Sequence, residues 1–559
     1  MRSFSRGIRV IGGATHHVEN QPPWHTDSNE YELNAPLRGA VAAFGGGWAD
    51  DELSATGAHV GSLDFQRDAY LANVHTPVAH SHDRWGFRLD EVEYDPSYHR
   101  VIAAAIARGA HTSAWAHPRP GASVARAATF MLFAQVEPGH ACPVSMTHAA
   151  VASLQAVPGI AAEWLPRMYA RTYEPRLLPD DQKPSALIGM AMTEKQGGSD
   201  VRANLTTAVH LGGNAYQLSG HKWFCSAPMS DGFLVLARAR SGSIDQGLTC
   251  FFVPRVLTHG TRNVFRIQRL KDKLGNRSNA SAEIEFDGTV GHLVGEPGRG
   301  VRAIIEMVQR TRLDCVLGTA AGMRQSVAEA LWHARGREAF GALLVDQPAM
   351  AGVLADLALE AEAAMLTGMR LAQAFESDAS DQDAAFRRLA TPVSKYWVCK
   401  RGPGHAYEAM ECLGGNGYVE DFPLAMRYRE QPVMAIWEGA GNVIALDVLR
   451  ALTREPEAAA AFAAELEPTQ GASALLDAHV SRTLRLLGEL VHMDPADAQA
   501  SARRVTEALA LGLQASLMLR HAPGAAADAF IATRLGGDRS ALYGALPAGA
   551  DAAGILARH

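Results

Sequence analysis

The spacing of hydrophobic positions changes twice along this chain. Before residue 185 apolar residues recur at helical intervals, as in 96–116 and 123–139. From about 185 to 300 the apolar residues form short alternating or β-rich runs, separated by turn residues. From 301 the helical spacing returns and continues to the end. The pattern predicts an N-terminal arm and helical domain (1–184), a central β domain (185–300), a C-terminal helical bundle (301–450) and a helical extension (451–559).

Several helices of the second half can be placed individually. One long helix begins at 301, and a second is opened by Pro348. A third begins near Leu389 and ends before Gly414 and Gly415. In the extension, residues 502–521 predict one amphipathic helix. A preceding helix is predicted to bury four apolar residues at helical spacing: Val480, Leu484, Leu487 and Val491.

Length and composition narrow the class of protein. A chain of 559 residues exceeds what one core usually supports, so we expect several packed subdomains. No apolar run is long enough to span a membrane, and the first residues lack an apolar segment of signal-peptide length. We therefore expect a cytoplasmic protein without a membrane partner. The formal net charge of −7 argues against a protein-wide basic field for nucleic acid, although a local basic groove is still allowed.

Metal binding is not expected. None of the six cysteines forms a CxxC pair, so reduced structural thiols fit best. His75, His80 and His82 lie close in sequence, but no acidic or cysteine ligands accompany them at a recognisable metal spacing.

Five short motifs carry the candidate chemistry, and each alone has a plain structural explanation. They are TEKQGGSD (193–200), GHKWF (220–224), GREAFGALLVDQ (336–347), ECLGGNGY (411–418) and WEG (437–439). Glycine-rich turns allow close approach to a ligand but are equally common on surfaces. The second glycine-rich loop is not a Rossmann fingerprint. Glu438, between Trp437 and Gly439, suits a base with a raised pKa, or simply an acid at a helix start facing water.

In this order the motifs resemble the acyl-CoA dehydrogenase family over residues 185–450. Segments 15–23, 82–101, 193–201 and 436–450 are also similar to the AidB-like subfamily, and that likeness covers nearly the whole chain. The resemblance implies an α+β fold with an N-terminal helical domain, a central β domain and a C-terminal four-helix bundle, here followed by the helical extension. It also implies FAD as the cofactor and a homotetramer.

The resemblance further implies roles for individual residues. Glu438 is the expected base that removes the α-proton of an acyl-CoA, with Arg312 orienting it, because Thr311 stands where some relatives place the base. The expected FAD contacts are Met192, Thr193, Ser199, Trp223, Ser226, Arg337, Phe340, Gln347, Gly414, Gly415 and Asn442. Arg337, Phe340 and Gln347 are expected to reach the FAD of a neighbouring subunit. Ala339, Ala440 and Glu411 depart from the family pattern, so some hydrogen bonds to the flavin are expected to be lost.

The AidB-like resemblance implies binding of double-stranded DNA, protection against alkylation damage and weak acyl-CoA dehydrogenase activity. Residues 451–559 hold nine arginines, no lysine and twelve acids, so phosphate binding there requires clustering. We favour Arg450 and Arg534 among the candidates, which also include Arg503, Arg504, Arg520 and Arg539. No DNA-reading motif is present, so binding should tolerate sequence. The alternatives are a genuine dehydrogenase of branched or other acyl-CoA without a DNA role, and a flavoprotein with neither activity.

Overall fold

The computed structural model describes residues 15–537 and 540–559. The first 14 residues, on which the signal-peptide prediction rests, and Arg539 lie outside this range. The first part of the chain contains eight helices: α1 (Ala35–Ala43), α2 (Asp50–Val60), α3 (Leu63–Val74), α4 (Pro96–Ala107), α5 (Ser113–Ala116), α6 (Ala122–Ala134), α7 (Ala141–Leu154) and α8 (Pro158–Met168). An antiparallel strand pair, β1 (Val78–His82) and β2 (Arg88–Glu93), interrupts these helices between α3 and α4.

The central part is a sheet of seven strands: β3 (Ile188–Ala191), β4 (Thr207–Gly212), β5 (Ala215–Ser226), β6 (Gly232–Ser241), β7 (Ile244–Pro254), β8 (Arg266–Leu270) and β9 (Ser281–Val294). Strand β6 pairs with β3, β4 and β7, while β9 pairs with β5, β7 and β8. Because β4 also pairs with β5, the pairing closes into a barrel-like sheet. Fully buried Phe233 and Phe251 fill it.

The C-terminal part is helical apart from a short hairpin. It contains α9 (Gly300–Gly336), strands β10 (Glu338–Ala339) and β11 (Ala342–Leu343), and nine further helices: α10 (Pro348–Ala374), α11 (Asp381–Glu411), α12 (Pro423–Met434), α13 (Gly441–Arg454), α14 (Pro456–Leu466), α15 (Ala474–Leu490), α16 (Pro495–His521), α17 (Gly524–Leu535) and α18 (Ala552–Leu556). Helix α9 packs on α7, α10 and α11 and so joins the N-terminal domain to the bundle. The predicted fold class is confirmed.

Two details differ from the sequence predictions. Helix α11 begins at Asp381 rather than near Leu389, because Ser380 and Asp383 form a reciprocal capping box in the polar stretch before the apolar residues. In α15 the buried residues are Leu476, His479, Thr483 and Leu486. Of the four predicted apolar residues, Val480 and Leu487 pack partly buried against the core, whereas Leu484 and Val491 are exposed, so the predicted face is only half right. His479 turns inward because its Nε2 bonds the Ala508 carbonyl of α16 at 2.8 Å.

Among the described residues, no helix is long and apolar enough to cross a membrane. Within the same ranges, no three histidine, cysteine or acidic side chains are grouped where they could hold a metal ion.

Candidate active site

Glu438 lies in the short turn between α12 and α13. Its backbone has φ +57°, in the left-handed region that costs a non-glycine residue about 1–3 kcal/mol. The side chain is partly buried, and the Thr311 hydroxyl of α9 donates to Glu438 Oε2 at 2.8 Å. Burial raises the pKa of Glu438, while the Thr311 bond and the charges of Arg312 and Lys395 act in the opposite direction. The turn therefore presents a carboxylate whose affinity for a proton is increased.

Two cationic side chains hold this turn in place by donating hydrogen bonds to three consecutive carbonyl groups. Arg312 Nε donates to the carbonyl of Glu438 at 3.1 Å. Lys395 Nζ, on α11, donates to the carbonyls of Trp437 at 2.8 Å and Gly439 at 2.6 Å. Both cationic side chains are buried. We call this arrangement the carbonyl clamp; it opposes the backbone strain at Glu438. Arg312 thus contacts the main chain of Glu438 in the clamp.

The clamp is tied to α13 through Asp447. Arg312 Nη1 donates to Asp447 Oδ2 at 2.7 Å, and Arg388 Nη2 donates to Oδ1 at 3.2 Å. Arg450 reaches the same Oδ1 at 3.4 Å. Although burial opposes ionisation, Arg312 and Arg388 lower the pKa of Asp447, so this acid stays a carboxylate. The guanidinium that holds the Glu438 turn is itself fixed by a buried ion pair.

Apolar and sulfur-containing side chains surround the Glu438 turn. Trp437 packs between two clusters. One cluster contains Cys315, Cys399 and Met434. The other includes Cys142, Met146, Met190, Met192 and Met307. The indole Nε1 of Trp437 is buried and bonds no acceptor among the described residues. The surroundings of Glu438 therefore combine low polarity with one free hydrogen-bond donor.

A fully buried ion pair fixes the loop after β3. Lys222 Nζ donates to Glu194 Oε1 at 2.8 Å and to the Leu236 carbonyl at 2.7 Å, and both charged side chains are inaccessible to solvent. Glu194 also accepts from the backbone of Leu205 at 2.7 Å and of Thr206 at 3.2 Å. Burial opposes ionisation of Glu194, but Lys222 and the hydrogen bonds lower its pKa to about 2. Neither residue was among the predicted site residues, although both belong to the quoted motifs.

The predicted flavin contacts of the β domain meet around this ion pair. The Trp223 backbone N–H donates to the Thr193 carbonyl at 2.8 Å, and the Thr193 side chain lies against Gly198 beside exposed Ser199. Lys271 Nζ lies 3.1 Å from the Trp223 ring centroid. Further along β5, Ser226 Oγ lies 3.3 Å from Ser281 Oγ. Met192 is linked to the pair through its carbonyl, 3.4 Å from Lys222 Nζ.

The predicted contacts after α9 lie on the β10–β11 hairpin, which is attached to the N-terminal arm. Arg337 Nη1 donates to the Asn20 carbonyl at 2.8 Å, and Gln347 Nε2 donates to the Ala339 carbonyl at 2.9 Å. Phe340, at the hairpin tip with φ +53°, is fully exposed. Gly414, with φ +57°, and Gly415 are also exposed after α11.

Comparison with known proteins identifies the family of this chain. Residues 20–175 match the family described as the adaptive response protein AidB N-terminal domain. Residues 189–289 and 298–453 match the middle and C-terminal domains of acyl-CoA dehydrogenases. The chain is 46% identical over 443 residues to the putative acyl-CoA dehydrogenase AidB of Escherichia coli, covering 79% of this chain and 81% of that protein. The chain belongs to the AidB-like acyl-CoA dehydrogenases.

Solved structures share this fold. The Caenorhabditis elegans protein ACDH-11 in complex with C11-CoA has a TM-score of 0.84 at 25% identity, with 94% of each chain covered. An acyl-CoA dehydrogenase from Bacillus anthracis, solved in complex with FAD, shares the fold with a TM-score of 0.63 at 17% identity, with 78% of this chain and 79% of that chain covered. FAD is thus the cofactor bound in a solved acyl-CoA dehydrogenase that shares this fold.

The residues present here fit a flavin. The free, buried N–H of Trp437 can donate to a polar ring edge, while the surrounding methionines offer apolar surfaces to a flat ring. Asn442 differs from the rest of the predicted set. Its Oδ1 already accepts a bond from Arg503 Nε of the extension at 2.8 Å, so the extension reaches a position expected to contact FAD.

One predicted DNA contact is corrected by the structure. The Arg534 side chain is only 10% exposed and pairs with two buried acids, Asp356 at 2.7 Å and Glu360 at 2.9 Å. Turning it toward a DNA phosphate would leave both carboxylates without this partner in the interior. By contrast, the Arg450 side chain is 57% exposed. Arg450 remains a candidate and Arg534 is withdrawn.

The cavity of about 980 Å³ between the N-terminal arm, α3 and α12 does not include Glu438 among its lining residues. Trp24, Tyr70, Trp332 and Glu430 are among the residues that line it. It is therefore not assigned to the chemistry of the base.

Proposed function

We propose that this chain binds FAD and oxidises acyl-CoA thioesters at the α,β position with Glu438 as the base, and that it also binds double-stranded DNA as part of a response to alkylation damage. The dehydrogenase half rests on one observation. A carboxylate with a raised pKa is bonded by Thr311 and carried on a turn held by the carbonyl clamp. A base whose pKa approaches the working pH is suited to removing a weakly acidic proton.

In the proposed reaction, Glu438 takes up the α-proton of the thioester and becomes a carboxylic acid. FAD, when bound, supplies the acceptor for the hydride that leaves the β-carbon. Thr311 fixes the orientation of the carboxylate, and Arg312 and Lys395 fix its main chain. The apolar surroundings of Trp437 exclude water, which keeps the carboxylate basic.

We propose an acyl-CoA as the substrate, and branched short chains such as isovaleryl-CoA are the first class to test. Support comes from ACDH-11, which was solved with a C11-CoA ligand at 25% identity to this chain. The methionines near Trp437 are flexible and adapt to differently shaped apolar ligands. We expect turnover to be weak, since Ala440 and Ala339 replace the threonines of the family pattern.

The test is anaerobic mixing of the FAD-loaded protein with isovaleryl-CoA while the visible flavin absorbance is followed. Rapid bleaching that is lost in Glu438→Gln, while bound FAD is retained, supports the proposed base. Glu489→Gln, at an exposed position of α15, is the matched control and should bleach like the unchanged protein. Equal bleaching in Glu438→Gln would exclude Glu438 as the base. Absence of bleaching in the unchanged protein would reject isovaleryl-CoA as a substrate.

The DNA half is supported by how arginines are distributed in the extension. Three of them are engaged in ion pairs: Arg520 with Glu465, Arg534 with Asp356 and Glu360, and Arg558 with Glu362. A second group is exposed on packed helices of the extension, α15 and α16: Arg482, Arg485, Arg503 and Arg504. Helix α13, which carries Arg450, also packs on α16. A duplex lying across this surface can contact several guanidinium groups at once, without sequence-specific contacts.

DNA binding is tested by titrating a duplex at several salt concentrations. Arg450→Gln should weaken binding and reduce the slope of log affinity against log salt by about 1, the amount expected for one lost phosphate contact. The control is Arg240→Gln, at an exposed position of the β domain. Equal losses in both variants would show a general charge effect. No loss in Arg450→Gln, Arg503→Gln and Arg504→Gln would place any DNA site elsewhere.

We also propose that the chain assembles as a homotetramer in which the β10–β11 hairpin contacts FAD held by a neighbouring subunit. The support is the position of Phe340: its fully exposed ring stands at the tip of the hairpin on a left-handed backbone, where it can stack on a flat group held by another subunit. Phe340→Asp should lower the mass measured by light scattering and release FAD. A tetramer that retains FAD in this variant would contradict the proposed contact.

A further inference from the structure

We infer that a cleft in the N-terminal domain, away from the Glu438 turn, binds a small organic phosphate. The cleft lies among α2, the connection from α4 to α6, and α6, and has a volume of about 600 Å³. It is lined by four arginines, and we call it the arginine cleft: Arg108, Arg119, Arg126 and Arg171. Neither Glu438 nor a residue of the carbonyl clamp lines it.

Three of these guanidinium groups gather around the turn that ends α4. Arg108 belongs to this turn. The Arg171 guanidinium lies against Gly109, because its Nη2 is 3.3 Å from the position that a Cβ on this glycine would take. Arg126 Nε donates to the Ala110 carbonyl at 2.8 Å. Arg119 lies with its guanidinium carbon 3.1 Å from the ring centroid of Trp48, which also lines the cleft. The fold therefore brings four cationic groups to one hollow.

Carboxylates balance only part of this charge. Buried Arg126 is paired with buried Asp314, and Arg171 forms an exposed pair with Glu52 at 3.3 Å. Among residues 15–537 and 540–559, no ion pair is formed by Arg108 or Arg119. Burial lowers the pKa of Arg108. Burial also lowers the pKa of nearby His111 to about 4, and the positive charges of Arg126 and Arg171 lower it further. The cleft retains two uncompensated positive charges, one of them on a partly buried side chain.

The chemistry of the cleft selects the class of ligand. Guanidinium groups bind phosphate oxygens through paired hydrogen bonds, and several around one hollow suit a dianionic group. The ring of Trp48 and the small side chains Ala49, Ala116 and Ala122 offer an apolar surface beside the charges. A volume of about 600 Å³ is in the range of small-ligand sites, whereas a DNA duplex is too wide to enter it. A phosphate ester with a small organic group meets both requirements.

The inference is tested with the full-length, FAD-loaded protein and two probes, inorganic phosphate and adenosine 5′-diphosphate. Binding is measured by calorimetry and by the rise in melting temperature, against sodium chloride at equal ionic strength, because a ligand that binds only the folded state stabilises it. Saturable binding should weaken at least tenfold in Arg108→Gln. Arg119→Gln, at the exposed rim, provides a second variant with little risk to folding. The control is Arg176→Gln, a 71% exposed arginine outside the cleft.

The outcomes separate the explanations. Weaker binding in Arg108→Gln and Arg119→Gln, with normal binding in Arg176→Gln and unchanged flavin absorbance, supports the site. Stronger binding of adenosine 5′-diphosphate than of phosphate would show that the organic group contributes. Unchanged binding in both cleft variants would overturn the inference, because phosphate would then be bound elsewhere. The inference would also be overturned if neither probe raised the melting temperature above that of the chloride control. The same would follow if both cleft variants weakened the binding of duplex DNA but left the binding of phosphate and adenosine 5′-diphosphate unchanged.

Discussion

Replacing Lys395 with methionine tests the central feature of the proposed site. Methionine keeps much of the buried aliphatic stem but removes the two hydrogen bonds to the carbonyls of Trp437 and Gly439. Hydrogen bonds from a charged donor contribute about 1.5–3 kcal/mol each, so the change removes about 3–6 kcal/mol of local stabilisation. The left-handed backbone of Glu438 stores about 1–3 kcal/mol of strain. Because the loss equals or exceeds the strain, the turn should relax and displace the carboxylate.

The effect should be measurable in flavin reduction. Displacing a catalytic group by about 1 Å costs on the order of 100-fold in rate, so stopped-flow bleaching with isovaleryl-CoA should slow by about 10- to 100-fold. The pH profile should also change. Lys395 lowers the pKa of Glu438, so its removal should raise that pKa and shift the acidic limb of the rate profile to higher pH.

The matched control is Lys400→Met on the same helix. Lys400 is exposed and, in the described part of the chain, bonds none of the three carbonyls. It should keep both the bleaching rate and the acidic limb. Lys395→Met with bound FAD, unchanged rate and unchanged pH profile would show that the clamp does not position the base. A loss of FAD in both variants would point to general destabilisation of α11.

Three further changes follow from contacts at and around the site. Thr311→Val removes the hydroxyl that donates to Glu438, so the pKa of Glu438 should rise and the acidic limb of flavin reduction should move to higher pH. Lys222→Met leaves Glu194 buried without its partner, and breaking a buried ion pair costs about 3–5 kcal/mol. The melting temperature and the retention of FAD should therefore fall. An unchanged melting temperature and unchanged FAD retention would refute a structural role for the pair. Arg534→Met should destabilise the protein by a similar amount without changing the salt dependence of DNA binding. Against the effect of burial, Arg401 and, after it, Arg534 lower the pKa of Glu360 to about 2, so the stability they contribute is fully present above the ordinary pKa of glutamate and is lost as pH falls toward 2. Arg534→Met removes only its own share, so acid unfolding of this variant should begin at a higher pH.

The sequence predicts the order of domains because each domain has its own hydrophobic period. Helical spacing was sufficient for α9, α10 and α16, and alternation was sufficient for the strands from 188 to 294. Helical spacing predicted the buried face of α15 only in part, because Val480 and Leu487 pack against the core but Leu484 and Val491 are exposed. Several spacings of apolar residues fit one helix, and the neighbouring α16 determines which face is covered. The paired His479 is buried there while apolar Leu484 is exposed.

The candidate site shows the same limit. Glu438 is predictable because it follows Trp437 in a short motif, and Thr311 and Arg312 because a family pattern points to them. Lys395 is not predictable, since it lies 42 positions before Trp437 and reaches the turn only after α11 packs beside it. The role of Lys222 and Glu194 in fixing the β3 loop was missed although both stand in quoted motifs. A sequence motif does not distinguish the residues that contact a ligand from the residues that hold the loop in place. Only the folded structure separates the two.

Burial also explains why two arginines that look equivalent in sequence differ as DNA contacts. Arg534 bonds Asp356 and Glu360, whose side chains are almost inaccessible, so turning Arg534 outward would leave charge in the interior without this partner. Arg450 bonds Asp447 at 3.4 Å, and Asp447 keeps closer bonds to Arg312 and Arg388. Arg450 can therefore turn to a phosphate while Asp447 remains paired. Which arginine is available to DNA is therefore decided by the free energy required to break its ion pair, and not by its position in the sequence.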